Sequence, residues 1–379
     1  MKILYIYQNK IYGMNGGSLE SRKIYESLLE LQEEGEDLQV ELLALENSHV
    51  IKTKWKDIFS RFLGHSNYFY LEWQKFKKNI FDKKYDLIIL GHSRLGFIAK
   101  DFRSEKNTTV ITQFHNIEYD YVNVYQSKYQ GIKRLVFTIL EKKATKRDEA
   151  DALRYSNHTL FMTEEDLRRS KELYKHKVPS SIIPICTKAI QHESMSENKS
   201  KLNLVFIGAL NYPSNIDGLK WFLKYTWPAL QNDPEIHLII GGSNPTKEIQ
   251  TLLQSYQNLE CHYNFHRFED IVPSNSVFLS FVTSTAGMKT KAAEALAAGL
   301  VIIGTKETFI GYEEAIHNPI GKNILIEANT SEEFLSQIQL MKNTLPAQNA
   351  KYRSLSLWEK YYSTERTKRE LKLILAQLV

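Results

Sequence analysis

The segment TSTAGMKTKAAEALAAGLVIIGT (283–305) carries the pattern with the clearest chemical meaning. An apolar run ends in small residues, strong helix formers follow, and Gly299 closes them before a second apolar run. That order reads as strand, loop, helix, glycine cap, strand. Ala286, Gly287, Met288, Lys289 and Thr290 then offer backbone N–H groups at a helix start. The positive end of the helix dipole and the cations Lys289 and Lys291 favour a bound phosphate there, and a nucleoside diphosphate fits the chemistry. Glu294 follows Lys291 by three residues on the same helix face, where a carboxylate can accept from ribose hydroxyls. The same two residues also suit an ordinary Lys–Glu pair on an amphipathic helix.

Three clusters in the first half sit where strands end. Gly16 and Gly17 lie between the first strand and the first helix, with Ser18 as an expected N-cap, and a double glycine lets a substrate approach the backbone closely. His115, Asn116 and Glu118 fall at the C-terminal edge of a strand, the edge at which open α/β sheets bind ligands. An imidazole there can hydrogen-bond a hydroxyl or assist proton movement near neutral pH. For His115 the plainer alternative is a histidine tying down its own loop, and His92 and Arg94, ending another strand, are placed to touch an acceptor.

These residues need a scaffold, and the chain reads as twelve strands alternating with helical stretches. The strand-like runs are 2–8, 38–45, 86–92, 109–116, 159–163 and 181–186, then 202–208, 236–242, 260–265, 277–282, 301–305 and 323–327. Such alternation implies βαβ units and parallel sheets with helices on both faces. At 379 residues the chain exceeds what one core supports. It divides into an acceptor-binding domain at 1–188, a polar linker at 189–201, a donor-binding domain at 202–355 and a terminal helix at 356–379. With no strand after it, that helix must dock on an existing surface.

Cys186 and Cys261 have neither metal-ligand nor disulfide spacing, and no run is long and apolar enough to span a membrane, so a cytoplasmic setting is expected. Residues 1–188 hold 31 Lys and Arg against 25 Asp and Glu, while 189–379 hold 18 against 19, so the net +5 arises in the first half. In 51–84, basic residues alternate with Trp55, Phe59, Phe62, Tyr68, Phe69, Tyr70, Trp73, Phe76 and Phe81. That mixture suits either a surface meeting anionic lipid headgroups at the inner face of the cell membrane or helices whose aromatics are core.

The run GMKTKAAEALAAG closely resembles the donor-site signature of glycosyltransferase family 4, and FIGALNYPSNIDGLKWFLKYTWPALQNDPEIHLIIGGSNP (206–245) and NFHRFEDIVP (264–273) resemble that family's second domain. The resemblance is nearly continuous from about Leu202 to Gly311 and weaker before it. It implies a GT-B fold: two Rossmann-like, doubly wound domains facing a central cleft, with the C-terminal helix crossing back to the first. It also implies a UDP- or GDP-linked sugar donor, retention of anomeric configuration, and no metal or other cofactor. By position, Gly287, Lys289, Lys291 and the Gly16–Gly17 pair would face the donor diphosphate and sugar, and Glu294 the ribose. Gly208, Asn211 and Asn215 would approach the diphosphate from the other side, Phe265 and Arg267 would bracket the base, and His115 would face sugar and acceptor.

Two departures stand out. Many members place a glutamate eight residues before the ribose-binding one, where this chain has Ala286, and many carry Arg and Lys in the loop that here reads ALNYPSNIDGLK. The expected activity is hexosyl transfer to a glycan or polyprenyl-linked acceptor in surface polysaccharide synthesis, with the diphosphate stabilised chiefly by Lys289 and Lys291. A donor-binding partner of an active transferase is the alternative. A dehydrogenase is disfavoured because no G-x-G-x-x-G follows the first strand, and no nucleic-acid module is present.

Overall fold

The computed structural model describes residues 1–8, 16–45, 50–106, 108–125, 131–190, 201–273, 276–282, 287–344 and 348–378. The chain separates into two units, Met1–Pro184 with Thr367–Val379, and Ile185–Arg366. The sequence places these limits at 188 and 355; the expected linker lies almost wholly outside the described residues.

The first unit is built on six parallel strands, β1 (Lys2–Tyr7), β2 (Gln39–Ala44), β3 (Leu87–Leu90), β4 (Thr109–Phe114), β5 (His158–Phe161) and β6 (Ser180–Ile182), in the order β2-β1-β3-β4-β5-β6. The inner strands β1 and β3 are nearly continuous apolar runs because helices cover both faces, so alternate side chains enter two cores. On one face Ile3, Tyr5, Ile89 and Ile111 meet Ile24, Leu28 and Leu31 of helix Gly16–Glu33. Leu371, Ile374 and Leu375 of helix Thr364–Leu378 join them, and Lys368 Nζ reaches Glu34 Oε1 at 2.5 Å. On the other face Leu4, Ile6, Ile88 and Val110 pack with Trp73, Phe97 and Phe102. The order reverses between β1 and β3, so ligand-binding groups are expected beyond Tyr7 and Leu90.

The second unit has β7 (Leu202–Ile207), β8 (Ile236–Gly242), β9 (Leu259–Tyr263), β10 (Ser276–Ser280), β11 (Val301–Gly304) and β12 (Leu325–Glu327), ordered β12-β11-β10-β7-β8-β9 and all parallel. Its reversal lies between β7 and β10, so the loops after those strands share one edge. Helix Pro213–Tyr225 is pressed against that edge, since a Cβ on Gly218 would stand 2.0 Å from the Phe281 carbonyl oxygen. Phe281 in turn stacks on Phe206 and Phe222 with ring centroids 4.6 and 4.7 Å apart. The chain's entry and exit are tied within this unit, because Trp358 Nε1 donates to Thr187 Oγ1 at 2.7 Å and Thr187 N to Tyr362 O at 2.9 Å.

Candidate functional site

In the second unit the presumed anion seat is a helix start. Gly287 has φ +75°, a conformation that favours glycine, and turns the chain into helix Thr290–Ala297. Lys289 is the N-cap residue and its side chain caps nothing. Among the described residues the N–H groups of Thr290 and Lys291 carry no hydrogen bond, while Ala292 N turns inward to Lys289 O. The loop is held from below: Met288 is buried, and the buried Tyr312 donates its hydroxyl to Lys289 O at 2.7 Å. Two free amides on a fixed turn are donors of the kind that bind phosphate oxygens.

The cations differ from expectation. Lys289 Nζ folds back onto the Gly287 carbonyl, and Lys291 Nζ pairs with Glu294 Oε2 at 2.6 Å. Both ammonium groups are thus engaged by their own neighbours, because a charge at a helix start takes the nearest acceptor when no anion competes. Lys291 remains 42% exposed, and a surface pair of that kind holds by only ~0–1 kcal/mol, so a diphosphate could draw it away. Ala286 lies outside the described residues.

Across the strand reversal, a Cβ on Gly208 would lie 2.7 Å from Asn215 Nδ2, which instead donates to Ala209 O at 3.1 Å. Asn215 therefore shapes its own loop, and Asn211 stands exposed upon it. Phe265 lies over Gly241, where its ring would be 3.0 Å from an added Cβ. Arg267, expected beside a base, is occupied: its Nε and Nη2 meet Asp270 Oδ1 at 3.0 and 2.9 Å, closing a cap on the turn Phe268–Asp270.

The first unit brings His92, Arg94, His115 and Glu118 together beyond β3 and β4. The single proton of the Ser21 hydroxyl goes to Gly91 O at 2.8 Å, so His115 Nε2, 3.1 Å from the same oxygen, must be its N–H donor. Nδ1 of His115 is left as the acceptor. His92 Nδ1 accepts from Arg94 N at 3.1 Å, which puts its proton on Nε2, 3.7 Å from Glu118 Oε1. The rings meet edge to face at 5.1 Å. Burial pushes both imidazoles down to about 3, with Arg94 adding to the effect on His92 and His92 to that on His115. His115 is thereby held in its neutral form at neutral pH.

Arg94 and Glu118, expected at an acceptor, hold each other at 2.9 Å, and Arg94 Nη1 donates to Glu141 Oε1 at 2.8 Å. Arg61 pairs with the other oxygen of Glu141. Asn116 Oδ1 is buried with no hydrogen-bond partner among the described residues. Gly16 and Gly17 open helix Gly16–Glu33, so Ser18 stands inside its first turn and is not the N-cap.

Three contributors escape sequence reasoning: Ser21, Glu141 and Glu149. Glu149 accepts from Glu118 N at 2.9 Å, Tyr119 N at 3.1 Å and the Tyr174 hydroxyl at 2.6 Å, so it fixes the start of helix Glu118–Tyr125. Burial, then the Glu118 charge, push its carboxyl up to about 7. Glu141 and Glu149 lie on helix Gly131–Tyr155, whose close approach depends on Gly96, where a Cβ would be 1.9 Å from Asp148 O.

Comparison with known proteins assigns the second unit. Residues 201–343 match the family model described as Glycosyl transferases group 1. The second unit carries a group 1 glycosyl transferase domain. The turn at Gly287, the loop at Gly208 and Phe265 all belong to this glycosyl transferase domain. Over the whole chain the structure is similar to sucrose-phosphate synthase from Thermosynechococcus elongatus, with a TM-score of 0.71, 13% identity, and 100% and 99% of the two chains covered. It is also similar to Anabaena Alr3699/HepE in complex with UDP, with a TM-score of 0.61, 12% identity and both chains fully covered. The lipopolysaccharide outer core galactosyltransferase WaaB gives 0.64 at 11%, again over both whole chains. Identities this low establish the shared fold, the GT-B class of two parallel-sheet α/β units. An uncharacterized 44.6 kDa protein in the cps region of Klebsiella pneumoniae is 22% identical over 235 residues, 59% of this chain and 58% of that protein, so the match spans little more than half of that relative.

Proposed function

We propose that the chain is a retaining glycosyltransferase that moves a hexose from a UDP- or GDP-linked donor to a glycan or polyprenyl-linked acceptor in surface polysaccharide synthesis at the cytoplasmic face of the membrane. The observation that carries this reading is the pair of amides at Thr290 and Lys291 that carry no hydrogen bond among the described residues, fixed by Gly287 and Tyr312 inside the group 1 glycosyl transferase domain. In this reading the diphosphate displaces Glu294 from Lys291, the freed carboxylate accepts from the ribose, and the ammonium stabilises charge on the departing group. No resident metal or cofactor is assigned a role. Donor binding belongs to the second unit, with Gly208, Asn211, Asn215 and Phe265 contributing. In the first unit, Nδ1 of His115 and Oδ1 of Asn116 are acceptors suited to sugar hydroxyls, and Gly16 and Gly17 supply further helix-start amides. Complexes of Anabaena Alr3699/HepE with UDP and with UDP-glucose support a nucleotide-sugar donor.

Lys291→Ala is expected to lower turnover by about a hundredfold, the loss typical of one preorganised donor to a developing anion, with little change in thermal stability. Release of nucleoside diphosphate from UDP-glucose or GDP-mannose would be followed in the presence of a lipid-linked glycan. Parental turnover in the variant would end the assignment. A non-catalytic donor-binding partner is the second reading, favoured by Ala286 standing where many members of the family that the sequence resembles carry a glutamate. It requires stoichiometric donor binding without diphosphate release.

A further inference from the structure

The aromatic, basic stretch 51–84 divides in the fold. Helix Phe69–Phe81 turns Phe69 and Trp73 into the core, and Trp73 Nε1 donates to Asp101. Helix Val50–Phe62 does the opposite: Trp55, Phe59 and Phe62, spaced four and three residues apart on one face, point outward, with Trp55 77% and Phe62 73% exposed. Leu63 continues that face.

A second helix extends the surface. On Gly131–Tyr155 the buried groups Glu141, Thr145, Asp148 and Ala152 share the inner face, and Val136, Ile139, Lys143 and Arg147 share the opposite one. Val136 and Ile139 are exposed, the latter 57%. Arg61 pairing with Glu141 and Arg147 Nη1 donating to Leu63 O at 3.1 Å hold the helices side by side. Five large apolar side chains thus lie on neighbouring helices, with Leu63 just past the end of the first. Around them the sequence is strongly cationic: residues 131–147 contain Lys133, Arg134, Lys142, Lys143, Lys146 and Arg147 against Glu141 alone, itself buried and paired.

We propose that this two-helix face is a docking surface for an anionic lipid bilayer, with Trp55, Phe59, Phe62 and Ile139 entering the headgroup boundary and Lys143, Lys146 and Arg147 meeting lipid phosphates. Exposed aromatics rimmed by cations are the features of an interfacial helix, and the two attractions act on the same surface. Among the described residues no helix is long and apolar enough to cross a membrane, so attachment through this face is peripheral. The inference is independent of the sugar-transfer reading.

The test is co-sedimentation of the full chain with phosphatidylglycerol-containing vesicles and with phosphatidylcholine vesicles. Binding is expected to the anionic vesicles and to weaken with salt. Replacing Trp55, Phe59 and Phe62 together by Ser, and separately Lys143→Glu with Lys146→Glu, should each reduce partitioning by more than about tenfold. The substituted side chains are exposed, and thermal melts would verify that both variants fold. Absence of binding to anionic vesicles at low salt, or unchanged partitioning in both variants, overturns the proposal. So does a concentration-dependent dimer that the triple variant abolishes while lipid binding persists, since the face would then belong to a second copy.

Discussion

Gly218→Ala is expected to destabilise the glycosyl transferase domain by about 3 kcal/mol, the upper end of ordinary overpacking, and, on the proposed function, to weaken binding of a nucleoside diphosphate. Alanine is the better helix former, and helix propensity alone predicts a gain of up to ~1 kcal/mol. The opposite sign is expected because the new Cβ would stand 2.0 Å from the Phe281 carbonyl oxygen and 3.3 Å from its ring. That carbonyl cannot retreat easily, since Phe281 lies stacked between Phe206 and Phe222. Helix Pro213–Tyr225 must move instead, and with it the loop of Gly208 and Asn215 at the other side of the strand reversal. Urea unfolding of the variant, with and without UDP, measures both effects. A raised midpoint would mean that the helix sits loosely on β10 and that the loops are not held in register by this contact.

The scaffold was legible because the inner strands are written as compact apolar runs, while the edge strands β6 (SSI) and β9 (LECHY) are more polar. Each of the twelve expected runs overlaps a strand, and their alternation with helices dictated two doubly wound sheets. The helix start after Gly287 was equally visible, since glycine, cation spacing and helix formers are all local signals. What stayed hidden was long-range pairing. Glu149 sits 31 residues from the Glu118 amide that it caps, and Glu141 lies 47 from Arg94. In sequence both look like members of a solvated charged helix, and only the close packing at Gly96 shows that face to be interior. The stretch 51–84 failed to resolve for a related reason. Trp55 and Trp73 have nearly the same neighbours in type, yet one is exposed and the other fully buried, and composition carries no record of which face a neighbouring helix will cover.

The buried histidines make acid stability the second large effect. His92 and His115 have folded values near 3, below the ordinary 6.5, so the unfolded chain takes up their protons first. Their contribution is complete above pH 6.5 and is lost as pH falls toward 3, each by about 1.4 kcal/mol per pH unit. Glu149 runs the other way. Its folded value of about 7 exceeds the ordinary 4.5, so the folded state protonates first and gains stability as pH falls from 7 to 4.5. Two losses against one gain leave a net decline of about 3 kcal/mol between pH 6.5 and 4.5, and below 4.5 both histidine losses run unopposed. His115→Gln keeps a donor for Ser21 and removes one titration, so urea stability of the first unit at pH 7, 5.5 and 4.5 should decline less steeply. Glu149→Gln removes the offset and should decline more steeply. These opposite slopes are what the buried cluster demands; equal slopes in parent and both variants would show that its members titrate as they do in water.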